Sequence, residues 1–98
     1  MALKIVPFDA ARYLDSPEAI EAFLEDAFAT NDIAEIMSAL GAVARARGMS
    51  QLAEDTDLSR PSLYRALGPE GNPTLDTLLK VMRTLGLRLA PVHLPPAA

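Results

Sequence analysis

The strongest structural signal in this chain is Met49 to Leu67, MSQLAEDTDLSRPSLYRAL. The stretch predicts two short helices joined by a tight turn, with Arg60 and Arg65 on the outer side of the second helix. The small and apolar residues expected to face inward are Leu52, Ala53, Leu58, Leu63 and Ala66. This spacing is typical of a helix-turn-helix, which places its second helix in the major groove of DNA.

Size and composition indicate one globular domain spanning residues 1–98. Half of the residues are hydrophobic and 22% are charged, so a packed core is feasible. The chain has no cysteine, which excludes disulfides and thiolate metal sites and suits the reducing cytoplasm where we expect the protein. We expect no signal peptide, and no apolar stretch reaches the roughly 20 residues that a membrane span needs.

The charge is unevenly distributed along the chain, whose net charge is −4. Residues 1–40 form an acidic N-terminal segment in which two basic residues face eight acidic ones, a net charge of −6. Residues 41–98 contain seven basic and five acidic residues, a net charge of +2. The two halves are therefore expected to have different partners, unless the acidic residues simply form one solvated face.

Two helices are expected in the acidic segment. Ser16-Pro17-Glu18 is a helix start, with a capping hydroxyl and a first-turn proline. Asp32 and Glu35 have the spacing of a capping box at the start of a second helix, which Gly48 ends. The predicted apolar faces are Ile20, Phe23, Leu24, Ala27 and Phe28 in the first helix and Ile33, Ile36, Met37, Leu40 and Ala44 in the second.

Three shorter helices are expected in the other half. Ser50 is predicted to cap Gln51–Thr56, and Ser59 to cap Arg60–Leu67. Residues 68–73 are rich in glycine and proline and predict a loop, after which Thr74 caps the fifth helix. The fifth helix stops at Gly86, and its predicted apolar face is Leu75, Leu78, Leu79, Met82 and Leu85.

Two short strands complete the predicted fold. Leu3–Phe8 is an apolar, β-branched run, and Leu87–His93 alternates in part, so residues 74–93 are predicted to hold the fifth helix and a C-terminal strand. A strand needs a partner, which could be residues 3–8 or the same strand of a second chain. The prediction is an all-α, five-helix DNA-binding domain with short N- and C-terminal strands.

The candidate DNA-binding residues lie at the start of the third helix and along the outer surface of the fourth. Arg60 and Arg65 are the predicted base readers, because arginine bonds guanine O6 and N7 bidentately. Tyr64 could contact a thymine methyl or a phosphate. Ser50, Gln51, Ser59 and Ser62 are predicted to donate to phosphates, and Pro61 shares the outer surface with Arg65. The first-turn amides after Ser59 are a predicted anion site.

An alternative interpretation treats these residues as an ordinary solvated helix surface. Arginines are common on exposed helices, and either Asp55 or Asp57 could form an ion pair with Arg60. The combination of a cap, a turn and an inward apolar pattern in one register nevertheless favours DNA binding.

The stretch resembles the helix-turn-helix of lambda-repressor-like regulators. That family has a small residue at the position of Ala53 and hydrophobic residues at those of Leu58 and Leu63. This chain has Asp57 where the family usually has glycine, and aspartate tolerates left-handed geometry better than most residues. Pro61 is also unusual, but a first-turn proline loses no helical hydrogen bond.

A wider resemblance covers roughly residues 4–90. The segments GMSQLAEDTDLSRPSLYRAL and GNPTLDTLLKVMRTLGLRL are similar to addiction-module antidote proteins of the HigA type. The resemblance implies an antitoxin that binds double-stranded operator DNA as a homodimer and represses its own operon. It also implies a cognate small toxin, usually a RelE/ParE-like ribonuclease. We expect the first helix and the N-terminal segment to contact that toxin.

The sequence indicates no enzyme, cofactor or metal site. The only histidine, His93, lies near a proline-rich terminus, where a surface role is expected. Two alternatives to the antitoxin remain open at this point. The chain could be a stand-alone transcriptional repressor without a toxin, or a protein-interaction module that does not bind DNA.

Overall fold

Five α-helices make up the regular structure of the computed structural model, which describes residues 13–96. They are α1 (Pro17–Ala29), α2 (Ile33–Arg47), α3 (Met49–Thr56), α4 (Arg60–Ala66) and α5 (Leu75–Thr84). The predicted all-α class and the loop at residues 68–73 are confirmed over this range. The predicted strand Leu3–Phe8 lies outside the described residues.

The predicted strand at Leu87–His93 is wrong, since residues 87–96 form no regular structure. Gly86 adopts a φ of +76° and turns the chain, and the Leu87 N–H donates to Met82 O at 2.9 Å. Leu87 and Leu89 then pack partly buried against the core. The alternation in the sequence arises because one side of this coil packs on the helices. Residues 13–96 contain no second strand with which the segment could pair.

Side-chain caps define the starts of four helices. The oxygens of Ser16, Asp32, Ser59 and Thr74 accept first-turn amides at 2.9–3.2 Å, as the sequence predicts. At α2 the reciprocal bond of the capping box differs from the prediction: the Asp32 N–H donates to Thr30 Oγ1 instead of Glu35.

The predicted cap at Ser50 is wrong. Gly48 is both the C-cap residue of α2 and the N-cap residue of α3, with φ 94° and ψ 123°. The new helix therefore begins at Met49, and Ser50 already lies in its first turn, where it caps nothing.

The core lies between α1 and α2 and extends through α3, which packs on α2, α4 and α5. Its largest fully buried side chains are Leu24, Val43, Leu52 and Leu63. Three residues predicted to be buried are exposed: Ile33 (68%), Leu75 (66%) and Leu79 (45%). The buried faces run instead through Ala39, Ala42 and Val43 in α2 and through Val81 in α5.

The turn between α3 and α4 depends on one left-handed residue. Asp57 has φ 60° and ψ 30°, and its N–H donates to the carbonyls of Ala53 and Glu54. The Leu58 N–H also donates to Ala53 O, at 3.1 Å. This geometry confirms the expectation that aspartate takes the place of glycine here.

Candidate nucleic-acid interface

Helix α4 is buried on one side and exposed on the other. Leu63 is completely buried, Leu67 is 5% exposed, and Ala66 is half-buried. Arg60, Tyr64 and Arg65 are all exposed on the remaining surface. The inward pattern predicted for α3 is also present, with Leu52 and Ala53 buried and Leu58 half-buried. Helix α4 therefore presents one short, positively charged surface to solvent.

All eight candidate DNA-binding residues are exposed. They are Ser50, Gln51, Ser59, Arg60, Pro61, Ser62, Tyr64 and Arg65. Those from Ser59 onwards belong to α4 and its cap, whereas Ser50 and Gln51 lie in the first turn of α3. The structure thus brings these residues together on two adjacent helices that pack directly against each other.

Arg60 is oriented by Tyr64 rather than by an aspartate. Its guanidinium carbon lies 5.7 Å from the centroid of the tyrosine ring, and its Nη2 donates to the tyrosine hydroxyl at 3.3 Å. A cation over an aromatic face is attracted by the ring quadrupole. Asp55 is engaged elsewhere, because it pairs with Arg47 at 3.4 Å. Asp57 forms no ion pair with Arg60 in the described residues either, so the alternative pairing of Arg60 with Asp55 or Asp57 is wrong.

The anion site predicted at the start of α4 is reduced to one amide. The Ser62 N–H donates to Ser59 Oγ at 3.2 Å, and the Leu63 N–H donates to Ser59 O at 3.0 Å. Pro61 has no N–H. The hydroxyl groups of Ser59 and Ser62 also bond each other at 2.8 Å. Only the Arg60 N–H is left in this turn, so the side chains of α4 matter more than its amides.

The start of α3 has a different character. No side chain caps it, so the amides at the beginning of the helix point outward without a side-chain acceptor. Ser50 is exposed beside them. Gln51 differs from the prediction in its local bonding, because its Nε2 donates to Asp55 Oδ1 at 2.9 Å.

Sequence reasoning missed a polar groove beside Arg65. The groove is lined by Ser62, Arg65, Ala66, Glu70, Gly71, Asn72, Pro73, Thr74 and Thr77. Its wall is the loop after α4, which approaches so closely that a Cβ at Gly71 would overlap the Ala66 carbonyl oxygen. The breaker-rich run predicts this loop, but no sequence signal predicts that it folds back onto α4.

The positive charge of this surface is local. Residues 60–66 contain two arginines and no acidic residue. The wider segment from Met49 to Leu67 adds Glu54, Asp55 and Asp57, which makes its net charge −1. Any anionic ligand is therefore attracted by α4 itself rather than by the whole domain.

Other kinds of site receive no support from the described residues. Among residues 13–96, no three histidine or acidic side chains are grouped so that they could hold a metal ion. None of the five helices in that range is both long and apolar enough to cross a bilayer. His93 is exposed in the C-terminal coil.

The chain matches a known protein family over most of its length. The chain is an all-α domain of five helices in its described part, and its residues 4–93 match the family model described as "Probable addiction module antidote protein". The chain therefore belongs to this family of addiction-module antidotes. An antidote implies a cognate toxin, and antidotes of this kind are typically not enzymes.

One relative supports the assignment over nearly the same length. The chain is 46% identical over 88 residues to an uncharacterized protein of Haemophilus influenzae, a match that covers 90% of this chain and 91% of the relative. No solved structure matches the chain.

Proposed function

We propose that this protein is the antitoxin of a type II toxin–antitoxin module, similar to those of the HigA type, and that it binds operator DNA through α3 and α4. It represses its own operon and neutralises a RelE/ParE-like toxin. The observation that carries the DNA-binding proposal is the outer face of α4. There Arg60 and Arg65 are both exposed, whereas Leu63 of the same helix is fully buried.

The base contacts come from the two arginines. A guanidinium that enters the major groove can donate two hydrogen bonds to guanine O6 and N7. Tyr64 holds Arg60 in an orientation that leaves part of its guanidinium free to donate, because only Nη2 bonds the tyrosine hydroxyl. Stacking on Tyr64 also restricts the arginine before DNA binds, which lowers the entropy lost on binding.

The phosphate contacts come from α3 and the cap of α4. The uncapped amides of α3 and the Ser50 hydroxyl can donate to one phosphate, which positions the domain on the duplex. Ser59 and Ser62 can donate to another once their mutual bond opens. Gln51 joins them only if it releases Asp55.

The proposed quaternary arrangement is a homodimer in the cytoplasm. Two α4 helices would read half-sites about one helical turn, ~34 Å, apart. A dimer doubles the contacts of a surface that has only two arginines per copy. Such a small positive surface needs this doubling to bind specifically at physiological salt concentration.

The toxin contact is proposed on the acidic N-terminal half. A ribonuclease binds RNA and is therefore expected to be basic. Glu18, Glu21, Glu25 and Asp26 are all exposed on α1, so this helix can attract such a protein and speed association.

The first test is fluorescence anisotropy of the full chain with duplex DNA from its own upstream region. We expect Arg60→Ala and Arg65→Ala each to cost about 1–3 kcal/mol of specific binding. Binding of the wild type should weaken as the salt concentration rises. Arg88→Ala is the matched control, because it removes one exposed positive charge from the C-terminal coil and should leave specific binding unchanged.

Two results would contradict the proposal. If both arginine variants bind operator like the wild type, α4 is not the reading helix. If the wild type binds no DNA at ~50 mM salt, where phosphate contacts are strong, the chain is a protein-interaction module instead. A stand-alone repressor is distinguished by the adjacent reading frame: specific DNA binding by a chain whose gene has no small basic protein encoded beside it would favour the repressor.

A further inference from the structure

One face of α5 remains open to solvent although it carries two large apolar side chains. Leu75 is 66% exposed and Leu79 is 45% exposed. They are four residues apart and therefore adjacent on the helix surface. Asp76 and Arg83 are exposed beside them. We call these four residues the α5 outer face; they span about 100° of the helix circumference.

Of the two charged residues on the α5 outer face, one has an ion-pair partner within the chain and the other does not. Asp76 pairs with Lys80 of its own helix at 3.1 Å, but its side chain is still 78% exposed. Arg83 has no carboxylate partner in the part of the chain that the structure describes. The acidic residue lies near the start of the helix and the free cation near its end. The pattern is therefore self-complementary when two such helices run antiparallel.

We propose that the α5 outer face binds the same face of a second copy of this chain. The two α5 helices run antiparallel about a twofold axis near Leu79, so that the contact is isologous. Leu79 of each copy then meets its counterpart, and Asp76 of each copy meets Arg83 of the other. Antiparallel pairing is favoured over parallel pairing, which would place identical charges opposite each other.

The proposed α5 contact is connected to the DNA-binding helices through the packing of the domain. Helix α5 packs on α3, and α3 packs on α4. Holding two α5 helices together therefore sets the spacing between the two α4 helices. This inference rests on the dimer of the proposed function and specifies its surface. Two leucines per copy make a small apolar contact, so the dimer is reversible.

The charge pattern allows a test that separates pairing from folding. Asp76→Arg leaves a copy with only positive charge at both positions, and Arg83→Asp leaves only negative charge. Each variant alone places like charges opposite each other in the antiparallel dimer. A mixture of the two restores both ion pairs as a heterodimer, whatever each substitution does within its own chain.

The measurement is sedimentation velocity of the full chain without DNA over a range of concentrations. We expect each single variant to weaken dimerisation by about tenfold or more, and the equimolar mixture to restore it nearly to the wild-type level. Arg88→Asp, which makes the same chemical change as Arg83→Asp but at an exposed position of the C-terminal coil, is the matched control and should dimerise like the wild type. Circular dichroism checks that every variant folds.

Leu79→Gln keeps the proposal testable if a charge reversal does not fold. It removes the central apolar contact, so it should weaken the dimer, and mixing it with either charge variant should give no rescue. The proposal is overturned if the wild type stays monomeric, if both charge variants dimerise normally, or if their mixture shows no recovery. Because no DNA is present, these results are independent of whether α4 binds an operator.

Discussion

Two residues show how a single backbone position shapes the candidate site. Asp57 makes the tight turn that sets α4 against α3, and it does so at a φ of 60°, which side chains disfavour. Gly71 brings the following loop against the end of α4, where a side chain would overlap the Ala66 carbonyl. Both positions serve the surface around Arg60 and Arg65 rather than the core.

We expect Gly71→Ala to destabilise the protein by about 1–3 kcal/mol, because the loop must move away from α4 to admit the methyl group. Gly41→Ala makes the same chemical change in the middle of α2, where the new Cβ would lie 3.4 Å from Leu67 O, an ordinary contact. The control should be neutral or stabilising by up to ~1 kcal/mol, since alanine favours helix. Urea denaturation measures both, and equal effects would contradict the close approach at Gly71.

A second residue-scale prediction concerns Asp57. Replacement by glycine removes the steric cost of left-handed geometry and should stabilise the protein by about 0.5–1 kcal/mol. Asp57→Val should destabilise it, because a β-branched side chain tolerates this conformation worst. Thermal unfolding of the two variants checks the sign; destabilisation by glycine would mean that the aspartate carboxylate itself supports the turn.

At the scale of elements, caps were more predictable than buried faces. A cap is a local event, decided by one side chain and the next three residues, and four of the predicted caps are present. A buried face depends on which neighbour the helix meets. Leu75 and Leu79 follow helical spacing as well as Val81 does, yet only Val81 is buried.

Two of the serines predicted as caps, Ser59 and Ser50, provide a matched pair. Ser59→Ala removes the acceptor of the Ser62 amide and should cost about 1 kcal/mol of stability. Ser50→Ala changes an exposed first-turn residue that caps nothing, so it should stay within about 0.5 kcal/mol of the wild type. Chemical denaturation compares the two; an equal loss for Ser50→Ala would restore the predicted cap.

At the scale of the molecule, the site and the core share one helix. Leu63 is fully buried on the inner side of α4, while Arg60 and Arg65 are exposed on its outer side. The packing of α4 against α3, and of α3 against α2 and α5, therefore determines how the arginines are presented. The fold carries the site on elements only seven and eight residues long, which could not remain helical alone.

We expect Leu63→Ala to cost about 2–5 kcal/mol, because it leaves a cavity where α4 meets the core. Leu94→Ala is the control, since Leu94 is 73% exposed in the C-terminal coil and its truncation should be nearly neutral. Urea denaturation measures the free energy of unfolding for each. A small loss at Leu63 would show that α4 contributes little to the core.

The sequence by itself determined the five helices, the side-chain caps at the starts of four of them, the tight turn at Asp57 and the outward position of Arg60 and Arg65. These features depend on contacts within a few residues, where helical periodicity and capping chemistry act. The tertiary structure alone decided which face of α5 is covered, that Leu87 and Leu89 pack on the core without forming a strand, and that the loop at Gly71 packs against the end of α4 beside Arg65. Each of these depends on which distant surface is available for packing, and this cannot be predicted from the neighbouring residues in the sequence.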